Sequence, residues 1–163
     1  MILNTRRNFF KQSFLGGAVL LFAGSSLYGA AEPLKTLTLV QEDLFPKAKE
    51  LYVDTTSYLL LILDHSRIST SHKEFLRNGV QWLHEESLKL HGKLYYNLSA
   101  QKRQEVLQEI SEYGWGESWI EALLTYSMEA LRSDAVYGVN KKDAAQKWLG
   151  FSAGLPHPKS AYL

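Results

Sequence analysis

The chain has 163 residues, with 18 lysines and arginines against 17 aspartates and glutamates, a formal charge of +1, and no cysteine. Charge this evenly balanced argues against a nucleic-acid partner, which calls for a basic face. Without thiolates the chain has no cysteine-ligated iron–sulfur cluster, no C-x-x-C-H haem attachment, no cysteine-containing zinc site and no thiol nucleophile.

The first 31 residues read as an export leader. Residues 5–11, "TRRNFFK", place Arg6 and Arg7 ahead of Phe9, Phe10 and Lys11, and "SFLGGAVLLFAGSSLYGAA" follows at once. A basic start, an apolar run over about Phe14–Ala23 and small residues at Gly29 and Ala31 make the three parts of a leader, with a cut expected before Glu32. The paired arginines resemble the twin-arginine signal, a route that carries proteins already folded, often around a cofactor. The alternative is an uncleaved anchor, since Ser13–Ala31 nearly reaches the roughly 20 residues of a spanning helix. Four glycines and three serines in that stretch favour the leader. Removing residues 1–31 takes away three of the 18 basic residues and leaves 132 residues carrying 15 basic against 17 acidic groups, a formal charge of −2. That length suits one domain with one core.

Residues 32–50, with Pro33 and Pro46, read as a lead-in holding one helical turn. Leu59–Leu63 is an unbroken apolar run behind Thr55, Thr56 and Ser57, any of which caps a helix by type. Next, Ser71 and Glu74 spell a capping box ahead of Leu76, Val80, Leu83, Ser87, Leu90 and Leu94, spaced as one face of a long helix. Ser99 opens another helix with Val106, Leu107, Ile110 and Tyr113 inside. Two glycines in "YGWG" predict a break, each costing a helix about 1 kcal/mol relative to alanine. The last clear helix is expected over Glu117–Arg132, with Trp119, Ile120, Leu123, Leu124, Ser127 and Leu131 inward.

No stretch alternates with period 2 for long, so the fold class is all-α: a small helical bundle over 32–133 with an irregular, Gly/Pro-rich C-terminal tail over 134–163. Five glycines and prolines interrupt that tail. Such a segment must be held by side-chain packing, on its own bundle or on another protein.

Chemistry-bearing motifs are scarce. His84 and His91 are seven apart and share a helix face beside Glu85 and Glu86, but neither H-E-x-x-H nor a three-ligand set is spelled. A free-standing hydrolase or metal enzyme would have to be built on them. There is no G-x-S-x-G elbow, phosphate loop or G-x-G-x-x-G. No catalytic, cofactor-binding or metal-binding residue is therefore assigned.

The stretch Asp134–Pro158 is more specific. "SDAVYGVNKKDAAQKWLGFSAGLPHP" resembles the C-terminal signature of the gluconate 2-dehydrogenase subunit 3 family, through Asp134, Tyr137, Gly138, Asn140, Lys147, Gly150, Phe151, Gly154, Pro156 and Pro158. Ala135, Val139 and Gln146 stand where that family often has proline, glycine and tryptophan, and Trp148 is placed to take over the aromatic role. "NGVQWLHEES" and "LSAQKRQEVLQEI" resemble the family's two central helices.

The resemblance implies a non-catalytic small subunit that accompanies a large FAD-containing dehydrogenase in the periplasm at the inner membrane, commonly with a cytochrome c subunit carrying haem c. It also implies that the small subunit bears the twin-arginine signal for both, so that the cofactor loaded before export belongs to the partner. The partner interface is then expected on Tyr137, Gly138, Asn140, Trp148, Gly150, Phe151, Pro156 and Pro158. A monomeric periplasmic protein with no flavoprotein partner is the remaining alternative.

Overall fold

The computed structural model of the chain describes residues 31–152, 154 and 156–160. The export-signal residues Arg6, Arg7, Phe9, Phe10 and Lys11 lie outside them. The described residues form seven α-helices: α1 (Ala31–Leu44), α2 (Lys47–Glu50), α3 (Thr55–Asp64), α4 (Thr70–His91), α5 (Ala100–Ser111), α6 (Gly114–Arg132) and α7 (Ala144–Trp148). Three 3-10 turns lie between them, at Tyr95–Asn97, Ala135–Tyr137 and Lys141–Asp143. The only β pairing among the described residues is an isolated antiparallel bridge between Val53 and Asn140. The fold is all-α. None of the described helices is long and apolar enough to cross a membrane.

The lead-in expected before residue 50 is instead a full helix. Leu37 and Val40 of α1 are buried in the main core, with Leu34 and Leu44 packed against it. Pro33 sits in the first turn, where a missing N–H costs nothing because the helix has no partner for it there. Two inward polar residues of α1 are bonded across the bundle. Thr36 Oγ1 lies 3.2 Å from His84 Nε2, and Gln41 Nε2 donates to Ser127 Oγ at 3.3 Å. Thr56 Oγ1 in turn donates to Gln41 Oε1 at 3.2 Å.

Two caps differ from expectation. Asp54, ahead of the threonines, caps α3 by accepting from the Ser57 amide at 2.9 Å. Ser69 caps α4, accepting from the His72 amide at 3.2 Å, so the helix begins two residues before the expected box. Along α4, Leu76, Val80, Leu83 and Ser87 are buried as expected. Leu90, in the last turn, is exposed; Gly92, at φ 66°, ends the helix before Leu94, and Ser87 Oγ donates to the Lys93 carbonyl.

Helix α6 is the spine, packed against α1, α3, α4 and α5. It starts at Gly114 rather than Glu117, so the expected break is its first turn. Gly116 is needed there for a close approach: a Cβ on it would stand 2.0 Å from the Ile110 carbonyl oxygen. Trp119, Leu123, Ser127 and Leu131 are buried along its inner face. A second, smaller cluster at the far end of α6 gathers Ala48, Val53, Ala130, Leu131, Val139 and Ala145. This cluster joins α2 and the following turn to the C-terminal segment.

Candidate functional site

The C-terminal segment is clasped to the end of α6 by two buried side-chain amides. A helix leaves its last carbonyls without intrahelical donors, and here Asn140 and Gln146 supply them. Asn140 Nδ2 donates to the carbonyls of Leu131 at 3.0 Å and Ser133 at 3.3 Å. Gln146 Nε2 donates to the carbonyls of Arg132 at 3.1 Å and Ser133 at 3.0 Å. Asn140 Oδ1 also accepts from the Ala145 amide at 3.3 Å, which fixes the start of α7.

Between these anchors the chain turns tightly. Asp134 accepts from the Val136 amide at 2.9 Å and lies 2.8 Å from His157 Nδ1, so the first and last parts of the tail are joined. The Val136 amide, and after it His157, hold the Asp134 carboxyl below its ordinary range. Gly138 turns the chain at φ 75°. Val139 then accepts from the Asp54 amide at 3.0 Å, beside the Val53–Asn140 bridge.

Helix α7 divides the tail into an inner and an outer side. Ala145 and Gln146 are buried and Leu149 is half-buried against the second cluster. Trp148 and Phe151 instead keep 50% and 45% of their surface exposed. Gly150, at φ 64°, ends α7 between them. It does so through the Gly150 amide on the Lys147 carbonyl at 3.2 Å and the Phe151 amide on the Gln146 carbonyl at 2.9 Å.

The residues expected at a partner interface therefore separate. Trp148, Phe151, Gly150, Gly138 and Pro156 lie on the surface, Pro158 is half-buried, and Tyr137 is half-buried against the second cluster. Asn140 is fully buried, its amide engaged within this chain. The sequence reading missed Gln146, whose amide matters as much to the clasp as that of Asn140. An uncharged amide in a broken segment carries no periodic signal, and its partners are carbonyls at the end of another helix.

The histidines are employed separately. His84 is buried; its Nδ1 accepts from the Tyr95 amide at 3.3 Å, so Nε2 carries the proton and donates to Thr36 Oγ1. His91 Nε2 lies 3.3 Å from Glu105 Oε2, near enough for an ion pair but not angled as a hydrogen bond. Among the described residues no group of three histidines or carboxylates gathers to hold a metal ion.

Elsewhere, Arg103 grips Asp43 through two hydrogen bonds, Nε to Oδ2 at 2.6 Å and a terminal nitrogen to Oδ1 at 2.8 Å. The Tyr95 hydroxyl donates to the same carboxylate at 2.8 Å. Burial and then that carboxylate push the Tyr95 phenol up. This network ties α1 to α5. An open groove of about 740 Å³ lies along α6, lined by Ile120, Leu124 and Met128 together with Glu117, Glu121 and Glu129.

The family model described as gluconate 2-dehydrogenase subunit 3 matches residues 31–154 of the chain. No curated protein and no solved structure matches it.

Proposed function

The chain belongs to the gluconate 2-dehydrogenase subunit 3 family, and from that premise we propose that it is the non-catalytic escort subunit of a periplasmic, FAD-dependent dehydrogenase at the inner membrane. It binds the large flavin-containing subunit in the cytoplasm and carries the twin-arginine signal for both through the twin-arginine translocase. A cytochrome c subunit with haem c completes the electron path. The choice of sugar, sugar acid or polyol lies in the large subunit's pocket.

The observation that carries this reading is the construction of the signature segment. Its buried amides, Asn140 and Gln146, are used in an internal clasp while Trp148 and Phe151 are left on the surface. Exposed aromatics held on a rigid support are the residues that dominate interface energies. The leader motif supports the escort role, because Arg6 and Arg7 precede the family match, which begins at residue 31. Only one chain of a preassembled pair needs such an address.

Changing both Arg6 and Arg7 to lysine tests this directly. The expected result is that the chain and the flavin subunit accumulate together in the cytoplasm, and that the tagged wild-type chain purifies from the periplasm with a flavin spectrum. Undiminished export of the flavin subunit in the double variant overturns the escort role, and purification of the wild-type chain without a flavoprotein overturns the partnership.

A further inference from the structure

The turn after α2 uses a tyrosine where such turns use glycine. The Val53 amide donates to the Ala48 carbonyl at 2.9 Å and the Tyr52 amide to the Lys49 carbonyl at 3.1 Å. That pair of bonds is the Schellman ending of a helix, whose left-handed position is usually glycine and sometimes asparagine. The same ending closes α7 with Gly150, and Gly92 supplies the left-handed position that ends α4. Tyr52 holds it at φ 57°. A bulky side chain in this region is strained, because its Cβ crowds the following carbonyl oxygen.

Among the described residues no side-chain hydrogen bond or ring contact of Tyr52 compensates for this. Tyr52 is 77% exposed, the most exposed of the large hydrophobic residues described. The backbone of the turn is what the fold uses: Val53 enters the second cluster and bridges Asn140, and the Asp54 amide reaches the Val139 carbonyl. Glycine or asparagine would give the same bonds with less strain. The turn is also fastened to the segment that presents Trp148 and Phe151, the two other exposed aromatics among the described residues.

We infer that Tyr52 is a third aromatic anchor for the catalytic subunit, so that the docking surface runs from the tail across to the Leu51–Asp54 turn. This rests on the proposed partnership. Backbone strain clusters at functional sites, held there by the structure around it, and a side chain that costs its own fold something and packs little against that fold has its use outside it. The occupant is the catalytic subunit, because membership of a dehydrogenase-subunit family supplies that partner and the turn is tied, through Val53 and Asp54, to the segment that carries the surface already assigned to it.

The test uses the full chain co-expressed with the flavin-containing subunit that purifies with the wild type. Tyr52→Gly and Tyr52→Asn both keep the left-handed turn, and asparagine does so without loosening the backbone. Each variant alone is expected to melt at the wild-type temperature or a few degrees above it, while its dissociation constant for the flavin subunit rises about 10- to 100-fold. Binding within about threefold of wild type in the asparagine variant overturns the inference, and so does a lowered melting temperature in both variants. If the wild-type chain holds no flavin subunit, the proposed function falls first and this anchor with it; if it does and the variants bind equally well, only the anchor falls.

Discussion

The indole of Trp119 fills the space that a side chain at Gly79 would need. A Cβ on Gly79 would stand 2.0 Å from Trp119 Nε1, whose N–H donates to the Leu76 carbonyl at 3.0 Å. Helices α4 and α6 are therefore brought together over a glycine, with the largest buried side chain laid across it. Gly79→Ala is expected to destabilise the chain by about 3 kcal/mol, although alanine is the better helix former, because overpacking outweighs propensity in a filled core. Gly114→Ala, in open space at the start of α6, is the control and should be neutral. Denaturant melts of the two variants decide it: equal stability would mean that the indole moves aside at little cost.

Asp43 and Arg103 form a pair with 9% and 15% of their side-chain surfaces exposed, and the Tyr95 hydroxyl occupies one of the same carboxylate oxygens. Breaking such a pair from one side leaves a desolvated charge, which costs more than the pair itself contributes. Arg103→Met should therefore lower stability by about 2–3 kcal/mol. Adding Asp43→Asn should recover part of that loss, since the stranded charge is gone. A double variant no more stable than Arg103→Met alone would show that Asp43 is solvated well enough without its partner.

Tyr58 donates to Glu129 Oε2 at 3.2 Å. Burial, and then the Glu129 charge and hydrogen bond, push the Tyr58 phenol up to about 12. The folded state thus holds the proton more tightly than the unfolded chain, whose tyrosines ionise near pH 10. The stability this contributes is fully present below about pH 10 and is lost as the pH rises from there through about 12. Tyr95 acts in the same direction. Unfolding free energies measured across that window should fall less steeply in Tyr58→Phe than in the wild type, and parallel curves would refute the assignment.

The sequence made the bundle legible wherever one face of a helix was apolar along its length. Leu76, Val80 and Leu83, and likewise Trp119, Leu123 and Leu131, are buried as their spacing predicts. Helix α1 escaped that reading because Thr36 and Gln41 interrupt its stripe, and both are made acceptable inside by partners 48 and 86 residues away. The start of α6 escaped because Gly116 is chosen for contact with Ile110 rather than for helix propensity. In the tail, glycines and prolines correctly pointed to a segment held by side chains, and Trp148 and Phe151 do lie at the surface. Asn140 looked like a surface residue of the same motif because nothing local reveals that its donors meet the last carbonyls of α6. Tyr52 gave no signal at all, since its peculiarity is a backbone angle.

The tail separates two roles that one motif combines, and two variants pull them apart. Asn140→Ala leaves the Leu131 carbonyl without its amide donor and the Ala145 amide without its acceptor, in a place water does not reach. Each unmet buried group costs about 1–3 kcal/mol, so the isolated chain should lose about 2–4 kcal/mol and its tail should become a protease target. Trp148→Ala with Phe151→Ala removes side chains that are about half exposed. The isolated chain should then lose about 1 kcal/mol in all, while association with the flavin subunit weakens by several kcal/mol, at about 2 or more per anchor. If instead the two rings close the bundle's own core, each truncation should cost about 3–5 kcal/mol of folding stability and leave assembly intact. Thermal melts of the isolated variants, paired with pull-downs of the flavin subunit, distinguish the two; a badly destabilised double variant that still assembles normally would move Trp148 and Phe151 from the interface to the core.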